Sequence, residues 1–162
     1  MSLREEINQD LKIFLKGRKE LEVLTLRQVL SAVLNKEKEK RFNLSKENQN
    51  VTEEESKLTD EEILDVVNLE VKKRREAAEG FEKGGRMESV EKEKKEMEIL
   101  KKYLPEQISE EEIKNLVAKA VESVGAKEIK DMGKVMAELM PKTKGKADPA
   151  LVGKIVKEAL GQ

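Results

Sequence analysis

Through the first two thirds of the chain the apolar positions recur every three or four residues, the spacing that places them on one face of an α-helix. Leu3, Ile7, Leu11 and Leu15 follow Ser2 and Glu5, a pair able to cap each other's backbone N–H, so the pattern predicts a helix to about Leu15 that Gly17 stops. Leu21, Leu24, Val29, Leu30, Val33 and Leu34 stripe a second helix, which loses its apolar face after Asn35. The stretch FNLSKENQNVTEEESK, residues 42–57, is polar and aperiodic, which predicts a mobile loop or a frayed helix end. Thr59 with Glu62 caps a third helix bearing Ile63, Val66, Val67, Val71, Ala77, Ala78 and Phe81, and Gly84 and Gly85 stop it. Val90, Met97, Leu100 and Leu104 stripe a fourth. The residue before a proline is pushed out of the α region, so Leu104–Pro105 predicts a boundary.

Beyond it the pattern restarts on a smaller scale. Ser109 with Glu112 caps a fifth helix carrying Ile113, Leu116, Val117, Ala120, Val121 and Val124, and Gly125 suits a left-handed stop. Ile129, Met132, Val135, Met136 and Leu139 mark a sixth helix. Asp148 before Pro149 is the favoured order of N-cap and first helical residue, opening a seventh with Leu151, Val152, Ile155, Val156 and Leu160. No strand pattern interrupts the series. The expected fold class is all-α: an N-terminal antiparallel four-helix bundle over residues 1–104 and a small three-helix subdomain over 105–162.

Composition agrees with helices and narrows the chemistry. Ala, Glu, Lys, Leu and Arg make up more than half of the 162 residues, and 41% are charged against roughly 25% in an ordinary globular chain. The formal net charge is only −1, so attraction to nucleic acid or a membrane must come from a local patch. Without cysteine or histidine there are no disulfides, no thiolate or imidazole catalysis and no zinc site, and no cofactor or metal is expected. Residues 1–10 lack a basic segment followed by an apolar run, and no stretch approaches the roughly 20 apolar residues that span a bilayer. A cytoplasmic protein with no membrane partner is expected.

Several groupings resemble sites. Gly80 to Met87 has the glycine spacing of a phosphate-binding loop, but Arg86 and Met87 replace its lysine and hydroxyl residue, and the segment follows a helix, so a helix stop is expected. Glu93 and Glu96 share a helical face but interleave with Lys92, Lys94 and Lys95, as on a solvated, salt-bridged surface. Lys72, Lys73, Arg74 and Arg75 read as a charge ladder with Glu70, Glu76 and Glu79. Residues 127–157 differ in balance, with eight lysines against Glu128, Asp131, Glu138 and Asp148. Three of the lysines, Lys142, Lys144 and Lys146, surround Gly145 on an expected turn from Pro141 to Pro149, beside a helix N-terminus able to attract anions. Composition alone leaves two readings of that turn, solvated loop lysines or phosphate binding. With one tyrosine, three phenylalanines and no tryptophan, base-stacking platforms are not expected, so a nucleic acid would be held by backbone and shape.

The blocks LTDEEIL at 58–64, EVKKRREAAEGFEKGGR at 70–86, EKEKKEMEILKKYLPEQ at 91–107 and DMGKVMAELMPKTKGKADPALVGKIV at 131–156 resemble the successive signatures of the YqeY-like (GatB/YqeY) family over nearly the whole chain. The last block is also similar to the tail of GatB, the tRNA-binding subunit of the aspartyl/glutamyl-tRNA amidotransferase, whose Lys-Gly-Lys-Ala-Asn-Pro turn has Asn where this chain has Asp148. The resemblance implies an all-α protein whose C-terminal part binds tRNA, with Lys142, Lys144, Gly145, Lys146 and the flanking Lys134 and Lys154 meeting the sugar-phosphate backbone. An aminoacyl-tRNA synthetase or an amidotransferase is compatible with it as a protein partner. By association the family is linked to carbon-nitrogen ligase activity with glutamine as amido donor. The catalytic cradle of that activity belongs to another GatB domain without counterpart here, so the chain is expected not to catalyse alone. The alternative is a protein–protein adaptor working through the bundle's helical faces, without nucleic acid.

Overall fold

The structure is a computed structural model describing residues 1–48 and 50–161, with Gln49, inside the expected loop, and Gln162 outside the described residues. Among the described residues the fold is all-helical, eight α-helices and one 3₁₀ turn without a strand. None of these helices is long and apolar enough to cross a membrane. The chain divides into two compact units, Met1–Tyr103 and Leu104–Gln162.

The first unit holds α1 (Leu3–Lys16), α2 (Glu20–Ser45), the four-residue α3 (Glu53–Ser56), α4 (Asp60–Lys83) and α5 (Met87–Lys101). Both capping boxes expected here form, Ser2 with Glu5 and Thr59 with Glu62. α2 touches α1, α4 and α5, and α4 packs along α5. Ile7 of α1, Leu26, Val29 and Val33 of α2, Ile63 and Val67 of α4, and Val90 and Leu100 of α5 are buried. Tyr103 is buried too, and its hydroxyl donates to Asp10 at 2.6 Å, tying the end of the unit to α1. Burial, and then the Asp10 carboxylate that accepts the phenol's proton, push Tyr103 above the usual phenol range.

Three expectations need correction here. α2 does not end where its apolar face is lost after Asn35 but runs to Ser45, its later turns docking through charge. Buried Glu37 receives Arg4 at 2.7 Å and the Leu58 N–H at 3.0 Å, while Lys40 donates to both Glu62 oxygens, at 2.9 and 2.8 Å, and to the Lys57 carbonyl. Within the expected loop, Phe42 to Ser45 close α2, and α3 forms behind a Thr52–Glu55 capping box of the same kind as the others.

The third correction concerns charge on α4 and α5. Arg74 forms the expected ladder pair with Glu70, but both are buried, and so is Glu96, expected on a solvated face. The Arg74 guanidinium donates through Nε to Glu96 at 2.9 Å, through Nη1 to the Glu70 carboxylate at 2.9 Å and carbonyl at 3.0 Å, and through Nη2 to Gln28. Lys73 adds a bond to the other Glu70 oxygen at 2.8 Å. The cluster joins α2, α4 and α5, and among the described residues no buried side-chain nitrogen or oxygen lacks a hydrogen-bond partner. Gly80 to Lys83 are the last turn of α4, and Gly84 with Gly85 form a helix-to-helix turn, the expected helix stop.

The second unit contains α6 (Glu110–Val124), the 3₁₀ turn Ile129–Asp131, α7 (Met132–Thr143) and α8 (Pro149–Leu160). Its three α-helices contact one another pairwise around Ile113, Val117 and Ala120 of α6, Val135 and Leu139 of α7, and Val152, Ile155, Val156 and Leu160 of α8. Gly125 ends α6 at φ 64°, a left-handed position that glycine takes without the penalty of a Cβ. A chain of roughly 60 residues buries only about 60% of its unfolded surface, so the margin of this core is thin. A fragment from Leu104 to Gln162 is nevertheless expected to stay helical and to unfold cooperatively in urea by circular dichroism. A fragment without helical signal would show that its core does not close by itself.

Candidate nucleic-acid interface

The lysine-rich segment lies where α7 gives way to α8. α7 continues through Pro141 to Thr143, so Lys142 belongs to the last helical turn and not to the loop expected from Pro141 to Pro149. A proline this late removes a single rung, the bond its own N–H would have made four residues back. The cap bond from Lys144 N–H to Met140 O at 3.0 Å closes the helix, and buried Thr143 returns its hydroxyl to Leu139 O at 3.1 Å. The connection is therefore short, from Lys144 to Asp148.

Two kinds of restraint hold it. The N–H groups of Lys146 and Ala147 both donate to the Thr143 carbonyl, at 2.9 and 3.0 Å, and Gly145, inside the turn they close, takes φ 74°. A side chain there would be strained by the backbone angle itself, since a Cβ at Gly145 would meet only the Pro105 ring, at an ordinary 3.7 Å. From the other side the segment entering α6 lies against the turn. Gln107 Nε2 donates to Gly145 O at 2.8 Å and to Pro105 O at 2.9 Å, and the Ile108 N–H donates to Lys146 O at 3.0 Å.

Lys142, Lys144, Gly145 and Lys146 are thus brought together at the end of α7 and the start of the turn. Lys134 stands two helical turns earlier, about 12 Å along the axis from Lys142 at 1.5 Å per residue, in a row that also contains Glu138. Lys154 lies on α8. Lys134 lies 3.9 Å from Asp131, Lys142 3.5 Å from Glu138 and Lys154 4.0 Å from Glu158. Their side chains are 73%, 50% and 72% exposed, and such surface pairs are worth about 0–1 kcal/mol, so exchange for a phosphate costs little. Asp131 also accepts the backbone N–H groups of Lys127 and Glu128, which hold its carboxyl below the usual range.

The N-terminus of α8 offers less to an anion than its position suggests. Asp148 accepts the Ala150 N–H at 3.0 Å and Pro149 has none to give, which removes two of the donors that helix starts leave open. What the segment can offer an anion is therefore mainly its lysine side chains, of which Lys134 and Lys142 stand in one row along α7.

A family model described as Yqey-like protein matches residues 4–160. The chain belongs to the Yqey-like protein family. No curated protein matches it. In this Yqey-like chain Gln107 has a role beside the turn that the sequence pattern does not show. It sits within a signature block, yet 38 positions separate it from Gly145, and no local pattern reports such a pairing.

Proposed function

We propose that this Yqey-like protein is a tRNA-binding accessory of aminoacyl-tRNA metabolism, acting in the cytoplasm, with Lys142, Lys144 and Lys146 gripping the sugar-phosphate backbone and Lys134 and Lys154 extending the contact. The observation that carries the proposal is the turn itself. Its lysines sit on backbone fixed at Gly145 and tied by hydrogen bonds on both sides, which lowers the entropy lost when they engage phosphates. Solvated loop lysines would need no such fixing.

In this proposal α1, α2, α4 and α5 form an antiparallel four-helix bundle, and α6 to α8 a three-helix module similar to the GatB tail. The chain supplies RNA binding, and any amide transfer from glutamine belongs to a partner amidotransferase or synthetase. Co-purification from cells, with sequencing of bound RNA and identification of bound proteins, is expected to recover tRNA that high salt releases. Recovery of proteins without tRNA would instead favour the adaptor reading. That reading has its own support in the first unit, where Ile13, Leu15, Leu24, Leu34 and Phe42 are exposed, Phe42 to 64%.

A further inference from the structure

The segment from Pro105 to Ile108 precedes α6 and carries no lysine, yet three of its groups engage the lysine turn. The Gln107 side-chain amide donates to Gly145 O and to Pro105 O, the Ile108 N–H donates to Lys146 O, and the Pro105 ring borders Gly145. Gln107 is exposed, and so are Lys144 and Lys146 on either side of the glycine it holds. A hydrogen bond between an exposed side chain and a partly exposed turn adds little to stability, because water replaces it readily. Its effect is on direction. With the Gly145 carbonyl held at one end and the Lys146 carbonyl at the next peptide, the backbone carrying the two lysines has one orientation instead of several.

We infer that Gln107 is a positioning residue for RNA binding, which orients Lys144 and Lys146 toward successive phosphates by fixing the Gly145 peptide. The inference rests on the proposal that this turn binds tRNA. A ligand that engages preorganised side chains loses less conformational entropy on binding, so removing the brace weakens affinity without removing a charge. Loss of a lysine does something different, since each phosphate no longer neutralised also lowers the salt dependence.

The experiment compares the full chain with Gln107→Met, which keeps the length of the side chain and loses its donors, in titrations against total tRNA over a range of salt. Gln107→Met is expected to bind about 3- to 10-fold more weakly with an unchanged log–log salt slope. Amide exchange is expected to quicken at Ile108, Lys146 and Ala147 and to stay the same at Val135 and Val156 in the core. Gly145→Ala, which opposes the positive φ, is expected to act in the same way by a separate route. Wild-type affinity in Gln107→Met, or a weakening that flattens the slope, would overturn the positioning role. If Gln107→Met is silent while Lys142→Ala/Lys144→Ala/Lys146→Ala weakens binding, only this inference fails. If the wild-type chain does not bind tRNA, or binds as well without the three lysines, the proposed function fails and the inference with it.

Discussion

Arg74→Met is expected to destabilise the first unit by about 3–5 kcal/mol, because it leaves two buried carboxylates facing each other without their shared cation. The guanidinium bonds to both Glu70 and Glu96 and donates through Nη2 to Gln28. The sign of the pH dependence follows from the individual groups. Burial raises the Glu70 carboxyl, but hydrogen bonds from Lys73 and Arg74 outweigh it and hold the pKa below the ordinary 4.5. That stabilisation is present above the unfolded value and is lost as pH falls through the lowered one. Glu93 is raised, first by burial and then by Glu96, so its ionised form costs stability at neutral pH. Once Arg74 is gone, Glu70 loses one of the two hydrogen-bond partners that offset its burial, and the variant's deficit is expected to shrink in acid. Urea denaturation at neutral and acid pH checks this, with Glu70→Leu/Arg74→Met/Glu96→Leu as a comparison expected to recover most of the loss, since apolar replacements of a whole buried ion cluster are often tolerated. A deficit below about 1 kcal/mol would show that the cluster behaves as solvated surface charge.

Removing the three lysines is the largest expected effect on binding. Each phosphate neutralised contributes roughly 0.7 to 0.9 to the log–log dependence of affinity on salt, so Lys142→Ala/Lys144→Ala/Lys146→Ala is expected to flatten the slope by roughly two to three units. Helical content is expected to hold, since all three side chains are exposed. The control for general positive charge cannot be the run from Lys72 to Arg75, because Arg74 and Lys73 hold the buried cluster. Lys12→Ala/Lys38→Ala/Lys94→Ala, three exposed positions of the first unit, removes the same charge. An equal flattening there would mean that tRNA is bound without preference for the turn.

The helices that opened with Ser2, Thr59 and Ser109 were legible because a capping box is contained within four residues and needs no knowledge of the rest of the fold. The same holds for Asp148 before Pro149 and for the left-handed stop at Gly125. The Thr52–Glu55 box carried the same signal for α3, but the charged residues around it read as loop. What apolar periodicity missed is held by polar partners distant in sequence. Residues 36–45 of α2 depend on Arg4, Leu58 and Glu62, and Arg74 is buried by Glu96 and Gln28, 22 and 46 positions away. Alternation of lysine and glutamate looks alike on a solvated face and in a buried network, since both obey helical spacing. Lys142 was misplaced for a different reason. A proline ends a helix in many sequence contexts, but here Leu139 sits in the core of the second unit, the Thr143 hydroxyl returns to Leu139 O, and α7 runs past Pro141 to Thr143.

The central claim is that tRNA meets the second unit at the turn between α7 and α8. Backbone amide chemical shifts of the full chain, recorded during titration with tRNA, test it most directly. The expected result is a set of perturbations concentrated at Lys142 to Ala147, with smaller ones at Gln107, Ile108, Lys134 and Lys154, all fading as salt is raised. Perturbations confined to α1 and α2, or none at all when tRNA is in excess, would contradict it.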